Sequence, residues 1–161
     1  MIFVTVGSQL AFDRLIKAVD EWAAENKAQE IYAQIGISNY QPKNFEFCQT
    51  MTPDQYIECL SKADFVVAHA GMGTIISALE FGKVLLLLPR LACNGEHRND
   101  HQLATATRLS HFGNISVADN EAELLVAMSD LVRQGTSLEK KIQTEVSVDL
   151  IKAIKRFVNE D

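Results

Sequence analysis

Two short, nearly unbroken apolar runs constrain the fold more than any other feature of this sequence. DFVVA occupies residues 64–68 and VLLLL occupies residues 84–88, with glycines and a helical pattern between them. A strand with one solvated face alternates apolar and polar residues, whereas a central strand of a parallel sheet is covered on both faces and is apolar throughout. The two runs therefore predict central parallel strands of an α/β protein.

Strand and helix patterns alternate along the rest of the chain. Further strands are predicted at residues 2–6, 30–35, 45–48 and 115–117, and further helices at residues 12–23, 53–61, 98–112 and 120–134. Such alternation is typical of a layered α/β fold with a mainly parallel sheet. We predict a single doubly wound, Rossmann-like domain over residues 1–135 and a C-terminal helix within residues 136–161 that packs on it.

Helix ends carry recognisable capping residues. Thr52 and Gln55 flank Pro53 in a capping-box pattern, and Asn120 and Glu123 form a second one. Glycines are expected to stop two helices, Gly82 before the VLLLL strand and Gly135 after residue 134, because glycine tolerates the left-handed conformation.

Composition excludes several functional classes. The 161 residues carry a net charge of −6, which argues against nucleic-acid binding because phosphate contacts need clustered Lys and Arg. The three cysteines lie far apart without a CxxC pair, so neither a disulfide framework nor a cysteine zinc site is expected, and a reducing cytoplasm fits. The N-terminus reads as a strand, not a signal peptide, and no apolar run approaches the length of a membrane span.

The segment between the two apolar strands, AHAGMGTIISALEFGK, is the first candidate site. It places Gly71 and Gly73 where a buried strand passes into a helix. Without a Cβ the chain can bend there, and a phosphate can approach the N–H groups of residues 72–75, with Thr74 adding a hydroxyl. Glycines that serve only the turn, and a His69 that serves only the core, remain alternatives.

A second polar cluster follows the VLLLL strand. Residues 96–102, EHRNDHQ, are expected to open the next helix at the same sheet edge, and Gly7-Ser8-Gln9 forms a third strand-to-helix junction. So dense a set of hydrogen-bonding side chains suits a polyol. A metal held by His97 and His101, a solvated helix start and a nucleophilic Cys93 are the alternatives.

Together these motifs resemble a known family. VTVGS, AHAGMGTIISALEFGK and LPR followed by GEHRNDHQLATATRL resemble the donor-binding half of GT-B glycosyltransferases, of the family 28 C-terminal-domain type. The match is closest to the small subunits of bacterial two-component exopolysaccharide and capsule glycosyltransferases. These are similar to the catalytic subunit of the eukaryotic two-subunit UDP-GlcNAc transferase. The resemblance covers nearly the whole chain.

The resemblance implies a UDP-sugar donor, with no metal and no cofactor. Its site residues, transferred by position, fall into three groups. The nucleotide and diphosphate would be held by Gly7, Ser8, His69, Gly71, Met72, Gly73 and Thr74, and the sugar by Asn99, Asp100 and Gln102. Ser77 stands where many relatives place an acidic residue on the ribose. The catalytic candidates are His69, Glu96 and His97, and Arg98 together with Arg90 would suit a uronic acid donor.

The resemblance also implies a partner. A complete GT-B enzyme has two such domains, so this chain is expected to need a separate, membrane-anchored acceptor-binding subunit. It would then act in the cytoplasm at the inner face of the cell membrane, contacting the membrane only through that partner. The apolar stripe of the C-terminal helix, from Leu138 to Val158, would help to dock the partner. The alternatives are a UDP-sugar-binding module without turnover and a sugar epimerase.

Overall fold

Six parallel strands form one sheet in the computed structural model, which describes residues 1–135. The strands are Ile2–Thr5 (β1), Ile31–Gln34 (β2), Glu46–Cys48 (β3), Phe65–Ala68 (β4), Val84–Leu87 (β5) and Ile115–Val117 (β6). The helices are Asp13–Glu25 (α1), Pro53–Lys62 (α2), Met72–Glu80 (α3), His101–Leu109 (α4) and Glu121–Gln134 (α5), with a short 3-10 turn at Ala92–Asn94. The predicted doubly wound, parallel α/β domain is confirmed.

The strand order, β3-β2-β1-β4-β5-β6, reverses between β1 and β4. The chain starts at β1, winds outward through β2 and β3, and returns to place β4 on the other side of β1. Thr5 pairs with Gln34 on one side and Ala68 on the other, so the three strands end level. The loops after β1 and β4 leave in opposite directions and open a crevice at the carboxyl edge of the sheet.

Helices cover both faces of the sheet, and the central strands feed both cores. In β4, Phe65 and Val67 face the layer that contains α1 and α5, while Val66 and Ala68 face the layer that contains α2, α3 and α4. In β5, the residues alternate between the same two layers. All residues of β4 and β5 are buried, which confirms the prediction made from their unbroken apolar runs.

The capping residues behave as predicted. The Thr52 side chain accepts a hydrogen bond from the Gln55 backbone, and the reciprocal bond completes the capping box of α2. Gly82 has φ +63° and follows Phe81, the C-cap of α3; its N–H donates to the Leu79 carbonyl and the Lys83 N–H donates to the Ala78 carbonyl. This is the paired hydrogen bonding of a Schellman motif.

Helix α5 also begins and ends as predicted. Asn120 caps the first turn by accepting a hydrogen bond from the Glu123 backbone N–H. Gly135, with φ +49°, follows the last helical residue. The predicted C-terminal helix falls in 136–161, which lies outside the described residues.

One predicted helix boundary is wrong. The helix expected over residues 98–112 begins at His101 and ends at Leu109. Before it, the Asp100 carboxylate accepts from the Ala92 N–H, and the Asn99 side chain accepts from the His101 N–H. Such side-chain bonds to the backbone compete with helix formation, so residues 96–100 form an irregular loop.

The buried carboxylate of Asp20 anchors the segment between β2 and β3 to α1. Asp20 is 3% exposed and accepts hydrogen bonds from the Tyr40 hydroxyl at 2.6 Å and from the backbone N–H groups of Lys43 and Asn44 at 3.0 and 2.8 Å. Burial raises the pKa of Asp20, but the hydrogen bonds from Tyr40, Asn44 and Lys43 outweigh it, so the net pKa lies below its usual value.

We expect Asp20→Asn to lower the free energy of unfolding by about 1–3 kcal/mol, since an amide group turned toward these donors leaves buried hydrogen bonds unmade. A carboxyl with a depressed pKa stabilises the fold above its unfolded pKa, and that contribution is lost as pH falls through the folded pKa. In urea unfolding from pH 7 to pH 3, the difference in free energy of unfolding between the wild type and Asp20→Asn should therefore shrink below about pH 4. Equal stability of the two proteins at pH 7 would contradict the assignment.

Candidate functional site

The crevice between the loops that follow β1 and β4 contains a pocket of about 360 Å³. We call it the first pocket. It lies at the carboxyl edge of the sheet, where ligands bind in doubly wound folds. The residues that line it are Val6, Gly7, Ser8, Gln9, Leu10, His69, Gly71, Gly73, Thr74, Arg90, His97 and Gln102.

A second pocket of about 330 Å³ adjoins the first. The two share four lining residues, Gly7, Ser8, Gly73 and Thr74, which therefore form a common wall. The residues that line only the second pocket are Thr5, Gln34, Met51, Thr52, Pro53, Tyr56 and Ser77. A ligand with two different ends and a compact centre could occupy both pockets at once.

The His69 ring fills the space that side chains at two glycines would need. A Cβ on Gly71 would lie 2.1 Å from His69 Nε2, and a Cβ on Gly7 would lie 2.7 Å from His69 Cε1. Gly71 has φ −92° and ψ 129°, a conformation open to any residue, so the chain does not need glycine there in order to bend. The sequence suggested that glycine is needed at position 71 for the chain to bend. This explanation is wrong, because it is the close contact with the His69 ring that requires a glycine there.

His69 is a neutral imidazole at neutral pH. Burial lowers its pKa to about 4, and the positive charge of Arg90 acts in the same direction. Its Nδ1 atom is buried without a hydrogen-bond partner among the described residues. Because the ring lines the first pocket, it can offer a ligand a hydrogen bond without bringing a positive charge.

The N-terminus of α3 presents unpaired amides to the common wall. The first bond within the helix runs from the Ile75 N–H to the Gly71 carbonyl, and no side chain caps this end. The N–H groups of Met72, Gly73 and Thr74 consequently have no acceptor within the helix. A Cβ added at Gly73 would meet nothing within 4 Å, so the space above these amides is open.

This arrangement suits an anion. Unpaired N–H groups and the helix dipole together favour negative charge at a helix N-terminus. The sequence prediction included the Ile75 N–H among the available donors, but that group donates to the Gly71 carbonyl within the helix. The Thr74 side chain is buried at the same wall.

The polar cluster of residues 96–102 is divided by the structure. His97 and Gln102 line the first pocket. Gln102 accepts a hydrogen bond from the Arg90 N–H at 3.2 Å through Oε1, which leaves its NH₂ group free to meet a ligand. Four of the predicted residues, Glu96, Arg98, Asn99 and Asp100, line neither pocket.

The Glu96 carboxylate is engaged by other protein groups. Arg14 donates to both of its oxygens, through Nε at 2.7 Å and Nη2 at 2.9 Å, and the Leu91 N–H donates to Oε2 at 2.9 Å. Asn99 contacts His97, its carbonyl and side-chain oxygens each lying 3.1 Å from the His97 Nδ1 atom. Of the three catalytic candidates, the structure thus places His69 and His97 at the pocket and Glu96 behind it.

Arg90 is used by the protein, which removes the reason to assign it to a uronic acid. The side chain is 2% exposed, and its guanidinium donates to the carbonyls of Val6, Leu10, Ala11 and Glu96. Burial lowers the pKa of Arg90, and the negative charge of Glu96 opposes that effect.

Several pocket residues escaped the sequence analysis. Thr5 and Gln34 hydrogen-bond each other at 2.7 Å beneath the Gly7 loop, and their polarity inside apolar strands was an available signal. Tyr56 and Met51 come from the α2 region and carried no such signal. Arg14 bonds Glu96 across 82 residues of sequence, a separation that no local pattern reports.

Residues 1–135 contain neither a cluster of metal ligands nor a membrane-spanning helix. In that range, no group of three or more His, Cys, Asp or Glu side chains could hold a metal ion. None of the helices in the same range is long and apolar enough to cross a membrane.

Comparison with known proteins identifies the family and the fold. Residues 1–157 match the glycosyltransferase family 28 C-terminal domain. The chain is 33% identical over 125 residues to the UDP-N-acetylglucosamine transferase subunit ALG13 of Homo sapiens, a match covering 71% of this chain and 10% of the human protein. The Mus musculus protein of the same name is 32% identical over 127 residues. The chain spans about a tenth of the length of these relatives.

Solved structures share the fold. A glycotransferase of kitacinnamycin superposes with a TM-score of 0.62 at 20% identity, covering 96% of this chain and 42% of that one. The NMR structure of ALG13 superposes with a TM-score of 0.59 at 20% identity, covering 83% of this chain and 86% of that one. The six-stranded sheet is thus the Rossmann-like fold of GT-B glycosyltransferases, and the chain belongs to the glycosyltransferase family 28 C-terminal domain family.

Proposed function

We propose that this chain binds a UDP-sugar and is the donor-binding, catalytic subunit of a two-component inverting glycosyltransferase. It would transfer a hexose to a lipid-linked acceptor in exopolysaccharide or capsule synthesis; a hexuronic acid loses its support, because Arg90 is engaged by backbone carbonyls and Arg98 lines neither pocket. The observation that carries the proposal is the common wall, where the unpaired amides of α3 face two adjoining pockets. A diphosphate against this wall would leave room for a nucleoside on one side and a sugar on the other.

The two pockets differ in a way that orients the donor. The first pocket offers the polar side chains of Gln9, His97 and Gln102, which suit sugar hydroxyls. The second offers Met51, Pro53 and Tyr56, whose apolar surfaces suit a base. We therefore assign the sugar to the first pocket and the nucleoside to the second, where Ser77 lies within the lining as the candidate ribose contact.

The chemistry follows from the charge that develops. The acceptor hydroxyl oxygen attacks the anomeric carbon, the bond from that carbon to the UDP oxygen breaks, and UDP leaves with the electron pair. Amides of Met72, Gly73 and Thr74 would stabilise the departing diphosphate, and His69 would add one neutral hydrogen bond. No Asp or Glu lines either pocket in the described range. His97 or the partner would therefore take the acceptor proton.

The proposed partner is a membrane-anchored acceptor-binding subunit. The human and mouse relatives are named as subunits of a transferase, which supports an enzyme assembled from more than one chain. The described residues form one donor-type domain, and GT-B transfer needs an acceptor half across the crevice. We propose a cytoplasmic location at the inner face of the membrane, reached through the partner, and a reaction that needs no metal or other cofactor.

One observation favours a second candidate function. Because Glu96 is paired with Arg14 and no Asp or Glu of residues 1–135 lines either pocket, neither pocket contains a carboxylate that could serve as the base. A UDP-sugar-binding regulatory or scaffolding module, with no turnover of its own, fits that arrangement.

Calorimetry and a transfer assay separate the two functions. The chain should bind UDP and at least one UDP-sugar when alone, and should transfer sugar only when co-expressed with its acceptor subunit. Binding of UDP without transfer in any pairing would favour the regulatory module. Absence of UDP binding would contradict both.

Gly73→Ala tests the common wall directly. The added Cβ meets no protein atom, and alanine stabilises a helix interior relative to glycine by about 0.5–1 kcal/mol, so the variant should unfold at equal or higher urea concentration. The same Cβ would occupy the space above the free amides, and we expect UDP affinity to fall about tenfold or more. A variant that is stable and binds UDP as the wild type does would remove the diphosphate from this wall.

His69 should stay neutral in conditions where an ordinary histidine is charged. Its folded pKa of about 4 lies below the usual 6.5, so the unfolded chain binds the proton more readily and stability falls as pH drops from 6.5 toward 4. NMR of the imidazole, assigned with His69→Gln, should show no protonation down to about pH 5 in the free protein. UDP should raise this pKa, because a bound anion favours the imidazolium. Midpoint titration near pH 6.5 in the free protein would refute the buried, neutral assignment.

A further inference from the structure

Two arginines contact one buried aromatic ring behind the first pocket. The Arg14 guanidinium lies 5.3 Å from the centroid of the Phe12 ring, and the Arg90 guanidinium lies 4.7 Å from it. Phe12 itself is fully buried. We call Arg14, Phe12 and Arg90 the arginine stack. Guanidinium groups within about 6 Å of a ring centroid are attracted to its face.

Arg90 ties the stack to the loop after β1. Its guanidinium donates to the carbonyls of Val6, Leu10 and Ala11, which flank the Gly7 turn. It also donates to the Glu96 carbonyl at 3.3 Å. One side chain therefore connects the loop after β1 with the loop after β5, and both loops line the first pocket.

Arg14 ties the stack to the loop after β5. Besides its two bonds to the Glu96 carboxylate, Arg14 donates to the Pro89 carbonyl at 2.8 Å and to Glu121 at 3.3 Å. Glu96 in turn accepts from the Leu91 N–H, so residues 89–97 are closed into a compact turn. His97, which lines the first pocket, is the residue next to Glu96 at the end of this turn.

The pair is buried enough for its loss to matter. The side chains of Arg14 and Glu96 are 14% and 11% exposed. Burial alone would lower the pKa of Arg14, but the hydrogen bond and charge of Glu96, with help from Glu121, raise it overall. Removing one member of such a pair leaves the other charge buried without compensation.

We propose that Arg14 and Glu96 are positioning residues for the sugar end of the donor. They hold residues 89–97 against the loop after β1 and so set the width of the first pocket. Neither side chain touches the substrate. The inference rests on the proposed function in one respect, the assignment of the sugar to the first pocket.

The test compares two ligands on four proteins. Binding of UDP, and of the tightest among UDP-glucose, UDP-galactose and UDP-N-acetylglucosamine, is measured by calorimetry for the wild type, Arg14→Gln, Glu96→Gln and the double variant. We expect UDP affinity to change less than twofold, because UDP reaches the first pocket only at the wall that it shares with the second pocket. UDP-sugar affinity should fall on the order of tenfold in each single variant, since small displacements of positioning groups are costly.

Non-additivity identifies the two residues as one unit. The double variant should lose no more UDP-sugar affinity than the worse single variant, because both substitutions break the same contact. Arg133→Gln is the matched control, since Arg133 forms an exposed ion pair with Asp130 far along α5 and should leave both affinities unchanged. Equal losses for UDP and UDP-sugar, or additive losses, would overturn the proposal.

Hydrogen exchange gives a readout that needs no ligand. In the free protein, Arg14→Gln and Glu96→Gln should each speed amide exchange in residues 89–97 severalfold, while β1 and β4 keep wild-type rates. Unchanged exchange in residues 89–97 would overturn the proposal even where nucleotide binding is intact. If the wild type binds no nucleotide, the proposed function fails, and the exchange result still decides whether the pair holds the loop.

Glu96→Gln also separates positioning from proton transfer. If Glu96 were a general base, Glu96→Gln would abolish turnover while UDP-sugar binding and amide exchange in residues 89–97 stayed normal. That outcome would overturn the positioning role. A positioning residue instead weakens UDP-sugar binding, and Arg14→Gln, which changes no proton acceptor, reproduces the defect.

Discussion

The burial of β4 and β5 on both faces is the constraint on which the rest of the structure depends. Strands covered on both faces can only be central, and their connections must then cross over one layer of helices or the other. Here the chain winds in opposite directions from β1 and β4, so the two loops separate at the carboxyl edge. The crevice is therefore a product of the apolar core, and β4 and β5 position the loops that line it without contributing a side chain to either pocket.

Burying polar groups beside that core costs free energy of desolvation, and in this site hydrogen bonds between the polar groups offset it. Arg90, almost fully buried, gives its guanidinium to backbone carbonyls that a loop would otherwise leave unpaired. Thr5 and Gln34 satisfy each other between two apolar strands. Buried polar groups without partners are expensive, so those that remain unpaired deserve a functional explanation. The free amides of α3 are such groups, and they lie at the common wall of the two pockets.

The sequence was informative wherever the cause of a feature is local. Apolar patterns and capping residues predicted the six strands and five helices of residues 1–135, apart from the bounds of α4, and Thr52, Gly82 and Asn120 marked helix ends because capping depends on neighbours three or four residues away. Because the carboxyl ends of parallel strands meet at one edge of the sheet, the sequence also predicted that His69, Gly73 and Gln102 lie close together, and they line one pocket. Glu96 was misread as a pocket residue because its partner, Arg14, is 82 positions distant. The start of α4 was missed because side chains such as Asp100 bond to backbone that precedes the helix.

The position of the His69 ring between Gly7 and Gly71 limits which substitutions these three positions can accept. A methyl group at Gly71 would overlap the imidazole at 2.1 Å, and one at Gly7 would both overlap it and strain a backbone with φ +74°. A smaller residue at position 69 would relieve the overlap but would leave a void beside the pocket. Substitutions at the three positions are therefore coupled: a side chain at Gly7 or Gly71 requires a smaller residue at position 69 first, and at Gly7 the backbone strain would remain.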